Sequence, residues 1–439
     1  MSRQTIIKGT LILTAAGIIT RLLGFINKIY LTNTIGFTEI GIYQLIFPLY
    51  ILAISICSTG LSSSISKHVA WNLSIGNIKE ARFTLRKCIC YGLVVSLLII
   101  LFVHCFSSPI SIYILKNSNC SEMINLIVLA LPFVVIKSCI NAFFIASEMP
   151  AIQGTTLLIE QVSRLISIFI LYNSMGNKNA ILAVYSTIVG EIISGFVSII
   201  LYLSNIKKIK SVSHVKTVNY NKDAECKSLV KDVFYMTTNS TIFTLFSSFE
   251  AILLPAKFYM YYGSSEYALS LYGIITGIVL PFILFPSTIT ASMSTMLLPS
   301  ISGDRAKNNT SNIRDTIIKS SMFSISLGIF SAILYFLLGK QLCILIFDNL
   351  DAGNILRKMC LLCPFIYLSS TLSSITNGLD KTLNNLTFNI ISISIRIIFI
   401  FLLIPYYGIE VYIMSMFISY FVLIVCYFMT LKKLLPKMQ

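Results

Sequence analysis

Runs of about 20 apolar residues recur along this chain from end to end, and no other feature restricts its fold so strongly. In hydrocarbon every backbone N–H and C=O must find a partner inside the protein. A chain built of such runs therefore folds as membrane-spanning helices. Composition closes off the soluble alternative. Of 439 residues, 56% are hydrophobic and 11% charged. A soluble domain carries about 25% charged residues and could not hide this much apolar side chain. The runs fall at 6–30, 41–63, 87–110, 123–145, 151–172, 180–203, 232–257, 267–299, 317–338, 356–377, 383–404 and 409–431. The expected fold is all-α and polytopic, with about twelve spans. The first run is too long for a cleaved signal peptide and lacks a small-residue cleavage site, so it is expected to stay as a span. The eighth contains Pro281 and Pro286 and is expected to kink or break, and Pro48 is expected to bend the second.

Orientation follows from Lys and Arg. With the N-terminus inside, the cytoplasmic segments hold 21 of these residues and the outer loops only Lys116, Lys178 and Lys340. Such a bias places both termini in the cytoplasm and the chain in the cytoplasmic membrane. The longest polar segment, 204–231, separates an N-terminal lobe of six spans (1–203) from a C-terminal lobe of six (232–439). It is basic and reads as a solvated linker, or as a segment lying on the anionic lipids of the inner leaflet. The net charge of +16 fits positive cytoplasmic loops and calls for no nucleic-acid partner.

The lobes repeat. At a constant offset of 232, Pro132 and Phe133 fall on Pro364 and Phe365, Glu148 on Asp380, Arg164 on Arg396 and Gly176 on Gly408. "SSSIS" (62–66) and "LPSIS" (298–302) match more weakly. Six spans return the chain to the same side, so the repeats are parallel, an arrangement of transporters with a substrate site between the halves. Arginines inside apolar spans are costly, and the cheapest place for Arg164 and Arg396 is a hydrated cavity.

Other embedded charges have two readings each. Arg21 and Lys28 lie seven apart on one face of the first span, and Glu250 and Lys257 likewise in the seventh. Lys28 and Lys257 either line a site or snorkel to the headgroups. Lys67, beside His68, is a substrate contact or a topological anchor. Glu160 is placed to pair with Arg164 four residues on. The matching residue before Arg396 is Ser392, so Arg396 needs another partner. Lys137 and Glu191 complete the set. Eleven scattered cysteines give no disulfide framework, and Cys360-x-x-Cys363 reads as packing. No Walker A loop, zinc-protease motif or paired-cysteine metal site is present, so neither a cofactor nor a metal is expected, and no catalytic residue is assigned.

The first eighty residues carry a resemblance. "IKGTLILTAAGIITRLLGFINKIYLTNTIG", "GIYQLIFPLYILAISICSTGLSSSISKHVA" and "GNIKEARFTLRK" resemble the opening of the stage V sporulation protein B family. That family belongs to the multidrug/oligosaccharidyl-lipid/polysaccharide exporter superfamily, with the MATE-like drug exporters and the lipid II flippases. The resemblance implies a flippase, not an enzyme. It would move a polyprenyl-pyrophosphate-linked glycan such as lipid II outward by alternating access, for spore cortex peptidoglycan. That role would place it in the cell membrane and the outer forespore membrane. Arg21 in "TRLLGF" matches a cavity arginine of the lipid II flippases, while the next cationic position falls on Asn27, beside Lys28. Those families usually have fourteen spans, which leaves the path of the lipid tail open here. On this reading Arg21, Lys28, Lys67, Arg164, Lys257 and Arg396 bind the anionic substrate, and Glu250 or Glu160 takes a coupling proton or monovalent cation. The alternatives are a cation-coupled multidrug antiporter or polysaccharide exporter of the same fold, and a non-transporting scaffold for spore envelope assembly. A membrane glycosyltransferase lacks a convincing acidic cluster.

Overall fold

The structure, a computed structural model, describes residues 3–74, 76–147, 149–175, 179–206, 222–291, 293, 294, 297, 301, 310–379 and 381–434, with side chains from residue 15 onward except at 74, 174, 175, 222–228, 239, 310, 382, 433 and 434. Glu148, Gly176, Asp380, residues 298–300 and most of the expected linker (207–221) lie outside the described residues. Among the described residues there is no strand. Among these residues, eleven helical stretches are long and apolar enough to cross a bilayer. A twelfth long helix, α1 (Arg3–Ile35, 33 residues), stands where the first span is expected.

The chain forms two compact units. Unit 1 holds residues 1–27 and 45–248, and unit 2 holds residues 28–44 and 249–439. Helix α1 therefore contributes to both. So does the second span, which runs as α2 (Phe37–Ile54), a π turn (Ser55–Thr59) and α3 (Gly60–Ser74). So does the seventh, α9 (Lys222–Tyr262). Unit 1 continues through α4 (Ile78–Pro109), α5 (Cys120–Ile127), α6 (Leu131–Ala146), α7 (Pro150–Met175) and α8 (Ala180–Asn205). Unit 2 holds α10 (Ser265–Gly273) and α11 (Leu280–Leu284). It goes on with α12 (Thr310–Phe347), α13 (Leu350–Met359), α14 (Cys363–Gly378), α15 (Thr382–Leu402), α16 (Ile404–Tyr407) and α17 (Ile409–Leu434).

The repeat is visible element by element at the same offset of 232. Helices α4 and α12 begin at 78 and 310, and α7 and α15 at 150 and 382. Helices α6 and α14 span 131–146 and 363–378, each preceded by a 3₁₀ turn, at 128–130 and 360–362. In both, proline opens the helix, where its missing N–H costs nothing. Lys116 (φ 54°) and Asp348 (φ 49°) adopt the left-handed conformation at corresponding corners. That conformation is uncommon outside glycine, and its recurrence 232 residues on marks one corner built twice.

Prolines remove backbone donors from the second and eighth spans, and tyrosine hydroxyls donate to carbonyls beside them. Pro48 has no N–H for the carbonyl of Gln44, and the Tyr272 hydroxyl donates to that oxygen at 3.3 Å. The eighth span passes from α10 through a π turn (Ile274–Val279) into α11, then leaves the helix at 285–286 and resumes at 287. Pro286 has no N–H for the carbonyl of Phe282, which accepts from Phe285 N at 3.3 Å and from the Tyr335 hydroxyl at 2.8 Å, and Tyr367 donates to Ile283 at 2.7 Å. Buried hydroxyls thus satisfy carbonyls that hydrocarbon could not.

Each unit has its own apolar interior. In unit 1, Phe143, Phe144 and Tyr202 meet edge to face, with centroids 5.7–6.2 Å apart. In unit 2, Ile301, Ile313, Leu372, Ile375, Leu379 and Tyr427 are buried in one cluster. Outward faces are also apolar. Leu101, Phe102, Phe330 and Leu345 are well exposed, as helices facing lipid require.

Candidate functional site

Four embedded charges of unit 1 converge. Helix α6 supplies Lys137, α7 supplies Glu160 and Arg164 one turn apart, and α8 supplies Glu191. Lys137 Nζ donates to Glu160 Oε2 at 2.7 Å and also to Glu191 Oε2. Arg164 Nη2 lies 2.6 Å from Glu160 Oε1 and 2.8 Å from Glu191 Oε1. Every carboxylate oxygen thus faces a cation, and the four charges sum to zero. The side chains are 6–15% exposed. Gly190 makes room, because a Cβ there would lie 2.5 Å from Arg164 Cγ. The spacing of Glu160 and Arg164 was legible in the sequence. Lys137 and Glu191 join them across helices, and no spacing reveals that.

Unit 2 holds a smaller arrangement. Arg396 on α15 meets Glu250 on α9, with Nη2 3.1 Å from Oε2. Its guanidinium also lies over the Tyr420 ring, 5.6 Å from the centroid. The partner that Ser392 could not provide therefore comes from the first span of the repeat. Lys257 does not join this pair. Its Nζ sits 3.9 Å above the Phe401 ring, a cation–π contact. Lys28, which belongs to unit 2, donates to the carbonyl of Thr276 at 3.4 Å, inside the π turn.

Arg21 is exposed on the part of α1 that belongs to unit 1. It has no carboxylate partner among the described residues, and neither have Lys28 and Lys257. Lys67 and His68, at the end of α3, share Asp232 of α9, at 2.6 Å and 3.0 Å. Lys67 is 59% exposed, so this pair is solvent-screened.

That contact ends a polar seam within unit 1. Asp232, Met236, Ser240, Thr244 and Ser248 recur every fourth residue along one face of α9. Ser248 donates to Pro48 O at 2.8 Å, Ser240 Oγ meets Ser55 at 2.9 Å and Thr59 at 2.7 Å, and Ser64 reaches Met236 Sδ at 3.5 Å. A Cβ on Gly60 would lie 1.9 Å from Thr237 Oγ1. Small residues let the helices touch, and hydroxyls supply the polar contacts that apolar side chains cannot. This stripe of period four was readable in the sequence, hidden among other small residues.

The comparisons with known proteins agree with this architecture. Residues 6–303 match the family model described as polysaccharide biosynthesis protein. Stage V sporulation protein B of Bacillus subtilis (strain 168) is 25% identical over 390 residues, covering 87% of this chain and 74% of that protein. The structure described as lipid II flippase MurJ in an inward closed conformation superposes with a TM-score of 0.73 at 16% identity, over 98% of this chain and 90% of that one. An inward-facing multidrug resistance MATE family transporter of the MOP superfamily gives 0.72 at 12% identity, over 98% and 99%. The expected fold is thus confirmed. The chain is a multi-pass membrane protein with the fold of the MATE and MurJ transporters.

Proposed function

The chain belongs to the polysaccharide biosynthesis protein family, and from that premise we propose that it is a flippase for an anionic polyprenyl-pyrophosphate-linked glycan. One observation carries the reading. Of the charges that the sequence singles out within the spans, the cations Arg21, Lys28, Lys137, Arg164, Lys257 and Arg396 outnumber the carboxylates Glu160, Glu191 and Glu250. The carboxylates are all engaged by Lys137, Arg164 and Arg396. Arg21, Lys28 and Lys257 carry the surplus, and an embedded cation surplus calls for an anion. A pyrophosphate supplies that charge and accepts bonds from guanidinium and ammonium alike.

Arg396 is the further contact, and it is conditional. While Glu250 holds it, its charge is spent. A proton or monovalent cation arriving at Glu250 would release the guanidinium to the headgroup, so cation and lipid bind together. Of the two carboxylates expected to take a coupling ion, Glu250 suits the role, because Glu160 already faces two cations. Lys67 lies outside this set and contributes a weaker contact at the helix end. Alternating access then carries the headgroup to the outer face while the polyprenyl tail stays in lipid. The cargo we propose is a lipid II-like precursor. The similarity to stage V sporulation protein B supports a role in spore cortex peptidoglycan and a place in the outer forespore membrane. The multidrug antiporter reading would need an excess of carboxylates to hold cationic drugs.

The test is binding. Undecaprenyl pyrophosphate, and not undecaprenol, should raise the unfolding temperature of the purified chain saturably. Arg21→Ala combined with Lys28→Ala and Lys257→Ala should abolish the effect. Equal stabilisation by both lipids would refute the cationic site.

A further inference from the structure

Glu160 and Glu191 bring two carboxylates together inside hydrocarbon, and like charges in such a place must be neutralised. The repeat shows that the fold does not require them. At the offset of 232, Lys137, Glu160 and Glu191 fall on Ser369, Ser392 and Leu423. None of these is charged, and Arg396 is balanced by Glu250 alone. Unit 1 thus carries two acids and a lysine that its counterpart lacks, and has Ile18 where the counterpart has Glu250, so each cluster sums to zero. The geometry of the addition is specific. Arg164 Nη2 takes one oxygen from each glutamate, and Lys137 Nζ takes the other oxygen of each. An ammonium between carboxylate oxygens from two helices occupies the position of a small monovalent cation bridging them.

We infer that Lys137 is a tethered counter-ion, filling a two-carboxylate site that would otherwise draw a monovalent cation from solution. The tetrad is neutral without an ion from either side of the membrane. All four carboxylate oxygens are taken, so no ion can enter without expelling a side chain. Cation dependence in this protein therefore arises outside the tetrad. The inference goes beyond the flippase reading and does not depend on it, since its test involves no transport.

The experiment is thermal unfolding of the purified full chain in sodium chloride and in choline chloride at equal ionic strength. The variants are Lys137→Met, Lys137→Arg and Lys137→Met with Glu191→Gln. Lys137→Met should unfold several degrees lower in choline and regain the loss saturably with sodium, beyond any sodium response of the native chain. Lys137→Arg, which keeps the charge, should behave as native. The double variant leaves Glu160 with Arg164 and is neutral again, so it should be stable in choline and lose the added sodium response. Stabilisation of Lys137→Met by acid but by no metal cation overturns the inference. So does a sodium response no larger than native, or one that survives Glu191→Gln. If Lys137→Met fails to accumulate, the double variant decides. Its recovery supports the tethered counter-ion, and its failure overturns it.

Discussion

The Glu250–Arg396 pair sets a quantitative expectation. Its side chains are 12% and 14% exposed, and the charged atoms are 3.1 Å apart. Removing one partner of a buried pair strands the other charge, at a cost of roughly 3–5 kcal/mol. Arg396→Ala should reach that range, because Glu250 then has no cation. Glu250→Ala should cost less by about 0.5–2 kcal/mol, the worth of the cation–π contact that Arg396 keeps with Tyr420. The double variant should recover most of the loss, giving a coupling energy of several kcal/mol, close to the sum of the two single losses, in a double-mutant cycle. The protein contains its own control. Lys358 and Glu410 also form an ion pair, with side chains 55% and 59% exposed. That cycle should give only about 0.2–1 kcal/mol. The assay is equilibrium unfolding of the purified chain in mixed micelles. A coupling between Glu250 and Arg396 no larger than that between Lys358 and Glu410 would show that burial does not govern the pair.

Close helix contacts give further expectations. Gly60→Ala should destabilise by about 1–3 kcal/mol, because the added methyl falls 1.9 Å from Thr237 Oγ1 and 2.5 Å from its backbone N. Cysteines at positions 64 and 236 should then crosslink less readily. Gly190→Ala should cost about 1–3 kcal/mol by pressing on Arg164 Cγ, and much less in an Arg164→Ala background. Lys67→Ala should change stability by less than about 1 kcal/mol, since the lysine is 59% exposed. Fusions of green fluorescent protein and alkaline phosphatase to the C-terminus should give fluorescence without phosphatase activity if both ends lie in the cytoplasm. The reverse would invert the orientation read from the lysines and arginines.

Much of the architecture was legible because the bilayer imposes it. Apolar run lengths placed the spans, and the conserved offset exposed the repeat down to the starts of α6 and α14. Proline positions marked the disturbed spans. The left-handed corners at Lys116 and Asp348 carry no sequence signal, since neither residue is glycine. The site was legible only where partners share a helix. Glu160 and Arg164 stand four apart, and the spacing shows it. Glu250 shares a helix face with Lys257 seven residues on, yet its ion-pair partner is Arg396, 146 residues further on (396 − 250). Lys137 and Glu191 were visible as charges and silent about their company. Partner choice across helices depends on rotation and depth, which a one-dimensional pattern does not encode.

The most direct measurement is lipid II flipping in cells depleted of their own flippase, read by an impermeant enzyme acting on the outer leaflet. Membrane levels of the native chain and of the Arg21, Lys28 and Lys257 alanine variant should be matched. The native chain is expected to restore outward lipid II and the variant to restore little. A well-expressed native chain that restores none would contradict the proposed cargo, and a variant as active as the native chain would contradict the role of these three cations.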